Sequence, residues 1–329
     1  METTRSETAQ EAVSLLEAVS ALRRFSGWLL LSHEQPDGDT LGCASALLVY
    51  GQRMGKAVRW AGPDPIPESY AFLPGADRYE PMREIYVPGD FLPIYLDTSN
   101  PERTLRVVGM PERSAVNIDH HGDNARFASV NFVDPSAGAT AELAWEILAR
   151  LGKPVETSSA IGLYAGLVTD TGRFGYSCTT PRSHRIAAEL LEKGIQPELM
   201  DRLLYSNWTP QALRLRGRAF SRLDYEPERG IAMTWLTRSD FEDTGADLSE
   251  TEGLASDLLR IRNSKFSAVL IENETSVRVS LRSRGKISAA EIAHRHGGGG
   301  HPNAAGMRLP LPLEASLATL KAEILNNND

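Results

Sequence analysis

Cysteine, lysine, histidine and long apolar runs are all scarce in this chain of 329 residues. Two cysteines, Cys43 and Cys178, cannot build a disulfide framework, and a reducing cytoplasm is the simplest compartment for them. No run approaches the roughly 20 uncharged apolar residues that a membrane helix needs. The longest, Trp28 to Ser32, is strand-sized. Glu2, Glu7, Glu11 and Glu17 punctuate an amphipathic N-terminal stretch, which excludes a signal peptide. The charge is −8, and so large an acidic excess argues against coating long nucleic acid by bulk electrostatics. A small phosphate-bearing substrate stays compatible, because only six of the 35 basic residues are lysine. Arginine, which makes up the rest, binds phosphate in bidentate fashion, although a GC-rich genome gives the same bias.

What is present is ordinary globular material. Hydrophobic residues make up 41% and charged residues 24%, which excludes disordered and collagen-like chains. The length suggests two domains. Glu11 to Arg24 has a helical apolar face through Ala12, Leu15, Leu16, Val19 and Leu22. The apolar run at Trp28 predicts a buried strand and Thr40 to Tyr50 a helix. Strands follow at Ala57–Trp60, Phe91–Leu96 and Ser114–Ile118, then helices at Ala137–Leu151, Ser158–Val168 and from Pro181 to about Gly194. This alternation predicts an α/β unit with a parallel, doubly wound sheet over residues 1–195. Residues 196–218 read as a helical linker. A smaller α+β unit is expected over 219–329, with strands at Gly230–Leu236, Phe266–Glu272 and Val277–Leu281 and a helix at Ser288–Arg295.

Four places carry chemistry. His33, Asp37 and Asp39 lie in one tight loop between a buried strand and a helix, where open α/β sheets bind ligands. They suit a metal, and they also suit a polar turn in which Asp39 caps the helix. Asp97 ends the next strand. Asp119-His120-His121 follows a third, and Asp170 follows an apolar helix. Parallel topology gathers the first three at one sheet edge, where so many carboxylates repel unless cations sit among them. Two cations about 3.5–4 Å apart would activate a water and stabilise both oxygens of a phosphoryl displacement. In the C-terminal region, Gly297 to Gly300 and His301 lead into Ala304-Ala305-Gly306, read as a helix start. Backbone N–H groups there, with the His301 side chain and a helix dipole, make an anion cradle. Arg282 and Ser283, at a strand end, add phosphate donors.

These motifs, in this order, resemble the DHH phosphoesterase family, whose signature triplet is Asp119-His120-His121 here. The resemblance implies that His33, Asp37 and Asp97 hold one manganese, and that Asp39, Asp97, His120 and Asp170 hold a second, with Asp97 bridging. It implies that Asp119 orients His120 and that His121 faces the scissile phosphate as proton donor or charge stabiliser. The glycine–histidine loop resembles the DHH-associated C-terminal domain, in which Arg282, Ser283, Gly298, Gly299, Gly300 and His301 would grip substrate. Family II inorganic pyrophosphatases lack that loop, and RecJ-type exonucleases are much longer. The compact layout is similar to the nanoRNase/pAp-phosphatase type.

The expectation is therefore a cytoplasmic hydrolase that uses two divalent metal ions, manganese before magnesium or cobalt. It would cleave short 5′-phosphorylated oligonucleotides to mononucleotides in a cleft between the domains, and 3′-phosphoadenosine 5′-phosphate to AMP. Long duplexes and membranes are not expected partners, and a homodimer is compatible. A cyclic-dinucleotide phosphodiesterase of the same fold is the alternative enzyme, and an inactive nucleotide sensor the non-enzymatic one. Tyr176 is weighed as a base-stacking residue or a core residue, and Asn263, beside Arg262, as part of a nucleotide pocket. His184, His294 and His296 read as structural, and Cys43 as a small packed residue.

Overall fold

A computed structural model of the chain describes residues 2–87, 89–109, 115–206, 208–284 and 286–326. The strand start expected at Ser114 and the residue Gly285 lie outside these, as do the side chains of Ala12 and His301. The chain divides into two compact units, Met1–Asn207 and Trp208–Asp329. The division falls inside the stretch read as a linker.

In the first unit the elements run α1 (Glu2–Arg24), β1 (Gly27–Leu31), α2 (Gly38–Arg53), β2 (Ala57–Gly62), β3 (Tyr79–Pro81), β4 (Glu84–Tyr86) and β5 (Phe91–Leu96). They continue as β6 (Arg106–Val108), β7 (Val116–Asp119), β8 (Val130–Val133), α3 (Thr140–Leu151), α4 (Thr157–Asp170), α5 (Pro181–Glu192) and α6 (Pro197–Leu204). Six strands form one sheet in the order β3-β2-β1-β5-β7-β8, parallel throughout. β1 is buried at every position, as its unbroken apolar run requires. Trp28 and Leu30 join the core built with the helices. Leu29 and Leu31 face a smaller core with Ile85, Val87 and Leu105, beside the parallel β4–β6 pair. The strand order reverses between β1 and β5, so the loops leaving these two strands flank the crevice where such sheets bind ligands.

α2 and α4 cross at glycines. A Cβ on Gly42 would lie 2.3 Å from the Gly162 carbonyl oxygen, and one on Gly162 would lie 2.4 Å from the Gly42 carbonyl oxygen. This close approach sets the spacing between the start of α2, which carries Asp39, and the end of α4, which carries Asp170. Gly42→Ala is expected to cost about 1–3 kcal/mol, the usual penalty of overpacking, read as a lowered urea midpoint.

The second unit contains α7 (Pro210–Ser221), β9 (Asp224–Glu226), β10 (Ile231–Leu236), α8 (Arg238–Thr244), α9 (Leu254–Leu258), β11 (Phe266–Glu272) and β12 (Val277–Ser283). It ends with α10 (Ala289–Arg295), β13 (Gly299–His301), β14 (Ala304–Leu309) and α11 (Leu313–Asn326). Its sheet, ordered β13-β14-β12-β11-β10-β9, is antiparallel except for the β10–β11 pair. The helix expected to start at Ala304 is strand β14 instead. Ala305, Met307 and Leu309 are buried while Gly306 and Arg308 are exposed, a period of two. The expected helix dipole is thus absent from that side of the glycine loop.

Candidate metal centre and phosphate-binding loop

Three strand ends and two helix ends build the first site. Past β1 the chain passes Ser32 and His33, and Asp37 caps α2 by accepting from the Asp39 and Thr40 N–H groups. The cap is therefore Asp37, not Asp39. Asp39 sits one residue inside the helix and is fully shielded from solvent. Asp97 follows β5 with φ +58, a left-handed conformation that few residues other than glycine adopt without strain. Its Oδ2 lies 3.6 Å from His33 Nε2, and its Oδ1 lies 3.5 Å from His120 Nε2. Asp170, the last residue of α4, brings Oδ2 to 3.2 Å from His120 Nε2.

Among the described residues, ligand-type atoms gather in three groups, each within 4.8 Å. One is His33, Asp37 and Asp97; another is Asp39, His120 and Asp170; the third is Asp97, His120 and His121. All six residues read from sequence as metal ligands are thereby brought together. The donor set mixes carboxylate oxygens with imidazole nitrogens, which suits a first-row divalent cation. The electrostatics fit one too. Burial, then the charges of Asp97, Asp170 and Asp37, pushes the Asp39 carboxyl well above its usual range. Burial and Asp97 push Asp170 up to about 7. Burial also works against charge on Asp97 and His33. Even so, the histidines hold Asp97 low, and Asp37 with Asp97 raises His33 to about 10. Cations placed among these groups relieve that repulsion.

One assignment changes. Asp119 does not orient His120. Its Oδ1 lies 2.7 Å from His121 Nδ1, and its Oδ2 accepts from Asn124 Nδ2 at 2.5 Å. His120 Nδ1 instead faces the Ala137 carbonyl oxygen at 3.2 Å. Asp119 ends β7, and past the strand both imidazoles approach Asp97 Oδ1, His120 through Nε2 at 3.5 Å and His121 through Nδ1 at 3.7 Å. Burial opposes charge on His121, but Asp119, followed by Asp97, outweighs it and raises the imidazole to about 9.

The start of α3 was missed. The Thr140 and Ala141 N–H groups donate to Asp39 at 2.5 and 2.9 Å, and Thr140 Oγ1 donates to Asp97 Oδ1 at 2.9 Å. Beginning that helix at Ala137 hid those N–H groups inside it. The Thr-Ala-Glu run of Thr140 to Glu142, opening an apolar helix, was the available signal.

In the second unit the glycines divide by role. Gly297, at φ +71, donates its N–H to the His294 carbonyl, and Gly298 donates to that of Ala293, closing the C-terminus of α10. The Gly298 N–H therefore serves the helix cap rather than an anion. A Cβ there would lie 2.3 Å from the Gly306 carbonyl oxygen, and one on Gly300 would lie 2.4 Å from that of Ala304. At Gly299 the nearest atom is His294 Nε2 at 3.7 Å, so only here does the fold itself not demand glycine. Ser283 is buried and donates to the Ile287 carbonyl at 2.6 Å, which makes it a brace of the turn rather than a phosphate donor. Arg282 is half-buried, and Arg282 and His301 are both register partners of Ala304, so they share one end of the sheet.

Among the remaining candidates, Tyr176 is 54% exposed, which removes the core reading, and it lies over Gly172. Asn263 holds φ +65 beside Gly230. His184 stacks on Phe174, and His296 pairs with Glu323. Cys43 is buried against Asp39, and both cysteines are free.

The DHH family N-terminal domain profile matches residues 28–169, and the DHHA1 domain profile matches 231–326. A bifunctional oligoribonuclease and PAP phosphatase NrnA from Thermus thermophilus is 37% identical over 282 residues, covering 85% of this chain and 83% of its own. The chain belongs to the DHH family. The NrnA of Bacillus subtilis is 27% identical and covers 88% of this chain and 91% of its own. Among solved structures, an exopolyphosphatase-related protein from Bacteroides fragilis shares the fold, with a TM-score of 0.85 at 24% identity, covering 94% of this chain and 95% of its own. In this DHH protein both family regions coincide with a site built above: the first profile ends one residue before Asp170, and the second spans the glycine loop.

Proposed function

We propose that this protein is a divalent-metal hydrolase that degrades short oligonucleotides to mononucleotides and converts 3′-phosphoadenosine 5′-phosphate to AMP. The observation that carries this reading is the 37% identity to an oligoribonuclease and PAP phosphatase along 83% of that protein. The carboxylate–imidazole cluster supports it. His33, Asp37 and Asp97 would hold one cation, and Asp39, Asp97, His120 and Asp170 the other. When bound, two such ions supply Lewis acidity and charge neutralisation to an in-line displacement at phosphorus. Manganese is the proposed ion, ahead of magnesium and cobalt: four of the six donors are carboxylates, which suit manganese, and the two imidazoles favour a first-row metal over magnesium. His121 has its Nδ1–H on Asp119, and as an imidazolium it carries a second N–H that can donate to the leaving oxygen. Asp119 is the positioning residue for that step.

The second unit supplies the terminal grip through Arg282, the Gly299–Gly300 backbone and His301. Gripping one end of the substrate favours very short ones. We place the enzyme in the cytoplasm on its free cysteines; among the described residues no helix is long and apolar enough to cross a membrane. The glycine roles give a paired expectation. Gly298→Ala should lower Tm, because its Cβ meets backbone, whereas Gly299→Ala should keep Tm and raise KM several-fold by crowding the substrate phosphate. Equal KM values for Gly299→Ala and wild type would remove the loop from the grip.

A second reading is favoured by 27% identity to the cyclic-di-AMP phosphodiesterase GdpP of Bacillus subtilis, although the match spans only 47% of that protein. Rates on linear pApA, 3′-phosphoadenosine 5′-phosphate and cyclic di-AMP with manganese separate the two. The proposal expects both linear substrates to be hydrolysed faster than the cyclic one. Faster hydrolysis of cyclic di-AMP would replace it.

A further inference from the structure

Arg182 lies near the start of α5, outside every motif read from the sequence. Its guanidinium meets three carboxylates: Nη1 on Asp134, Nε 3.3 Å from Glu142 Oε2, and Nη2 2.7 Å from Glu146 Oε1. Glu142 and Asp134 are almost wholly shielded from solvent. Arginine's planar fork can address several carboxylates at once, which the point charge of lysine cannot.

Two of those carboxylates hold the turn between β8 and α3. Asp134 Oδ1 accepts from the Ser136 N–H at 2.8 Å and from its hydroxyl at 2.7 Å, and the Asp134 carbonyl accepts from the Ala137 N–H. Glu142 Oε1 accepts from the Gly138 N–H at 3.2 Å and from Ser183 Oγ at 2.5 Å. The turn so held carries the Ala137 carbonyl, which faces His120 Nδ1 and makes Nε2 the nitrogen whose lone pair points toward Asp97 and Asp170. It also carries the N–H groups of Thr140 and Ala141 that hold Asp39, and the Thr140 hydroxyl on Asp97.

We propose that Arg182 is a positioning residue for the cation cluster: through Asp134 and Glu142 it sets the turn that fixes the His120 ring and the Asp39 carboxylate. This rests on the reading of the cluster as a two-cation site. Outer groups that orient metal ligands typically change affinity 10–100-fold when removed.

The test compares wild type with Arg182→Met, Arg182→Lys and Glu142→Gln. Two quantities are read: the rise in Tm on adding manganese chloride, and the manganese concentration that half-saturates pApA hydrolysis. Arg182→Met is expected to raise the half-saturating concentration at least tenfold and to shrink the manganese-induced rise in Tm. KM for pApA at saturating metal should stay near wild type. Arg182→Lys should recover part of the loss, and Glu142→Gln should move both quantities in the same direction as Arg182→Met. If Arg182→Met does not fold, Glu142→Gln decides. Variants that lose stability but keep wild-type metal half-saturation and the wild-type Tm rise would overturn the proposal. The Tm measurement uses no substrate, so a wild type that binds manganese but leaves pApA intact would contradict the assigned function without touching this test.

Discussion

Asp97→Asn should lower turnover with manganese by at least about a thousandfold, about 4 kcal/mol of transition-state stabilisation. The size follows from what one carboxylate does. Asp97 lies within 3.7 Å of ring nitrogens on His33, His120 and His121, and it accepts from Thr140 Oγ1 at 2.9 Å. It groups with His33 and Asp37 around one proposed cation, and its Oδ1 lies 3.5 Å from Nε2 of His120, a ligand proposed for the other, so losing its charge should weaken both. Asparagine keeps the shape, and it tolerates the left-handed backbone that Asp97 adopts at φ +58. The fold should therefore survive with an unchanged circular dichroism spectrum. A loss of less than tenfold would mean that Asp97 does not bridge.

Asp119→Asn carries the second large effect, on the order of 10²–10³ in turnover, within the range of a lost general acid. Its signature is in the pH profile. Burial works against charge on His121, and Asp119 more than offsets it, raising the imidazole from 6.5 to about 9. A donor held up by Asp119 stays loaded through neutral pH and empties at alkaline pH. Weakening Asp119 should move the alkaline limb of the rate profile to lower pH. Stability follows the same sign, because a group raised on folding stabilises fully below its unfolded value and loses that contribution through its folded one. The pH-dependent part of the destabilisation in Asp119→Asn should be largest below about pH 6.5 and should fade by about pH 9. An alkaline limb that does not move would remove His121 as the donor.

The centre of the sheet was legible because β1 and β5 are apolar runs, whereas the short outer strands β3 and β8, interrupted by Glu80 and Asn131, gave no such signal. Phe91–Leu96 begins and ends where the sequence places it, and the acid after it lands in the crevice. The ligand set was legible because each member follows such an element. The orientation of the ligands was not. Asp119 and His120 are neighbours in sequence, but past β7 the Asp119 carboxylate meets His121 while His120 Nδ1 faces the Ala137 carbonyl. The supports from α3 and Arg182 come from residues far away in sequence, and only the Thr140–Glu142 helix start left a local signal. In the second unit, Ala304-Ala305 favours helix locally, and pairing with β12 and β13 overrides that preference to make a strand. The stretch read as one connector breaks at Pro210, which cannot sit inside a helix and instead opens α7 behind its Thr209 cap.

Crystals grown with manganese chloride and measured at the manganese absorption edge test the central claim most directly. Two anomalous peaks flanking the Asp97 carboxylate are predicted, one against His33 and Asp37 and one against Asp39, His120 and Asp170. An empty cluster, or manganese bound only elsewhere on the chain, would contradict the account.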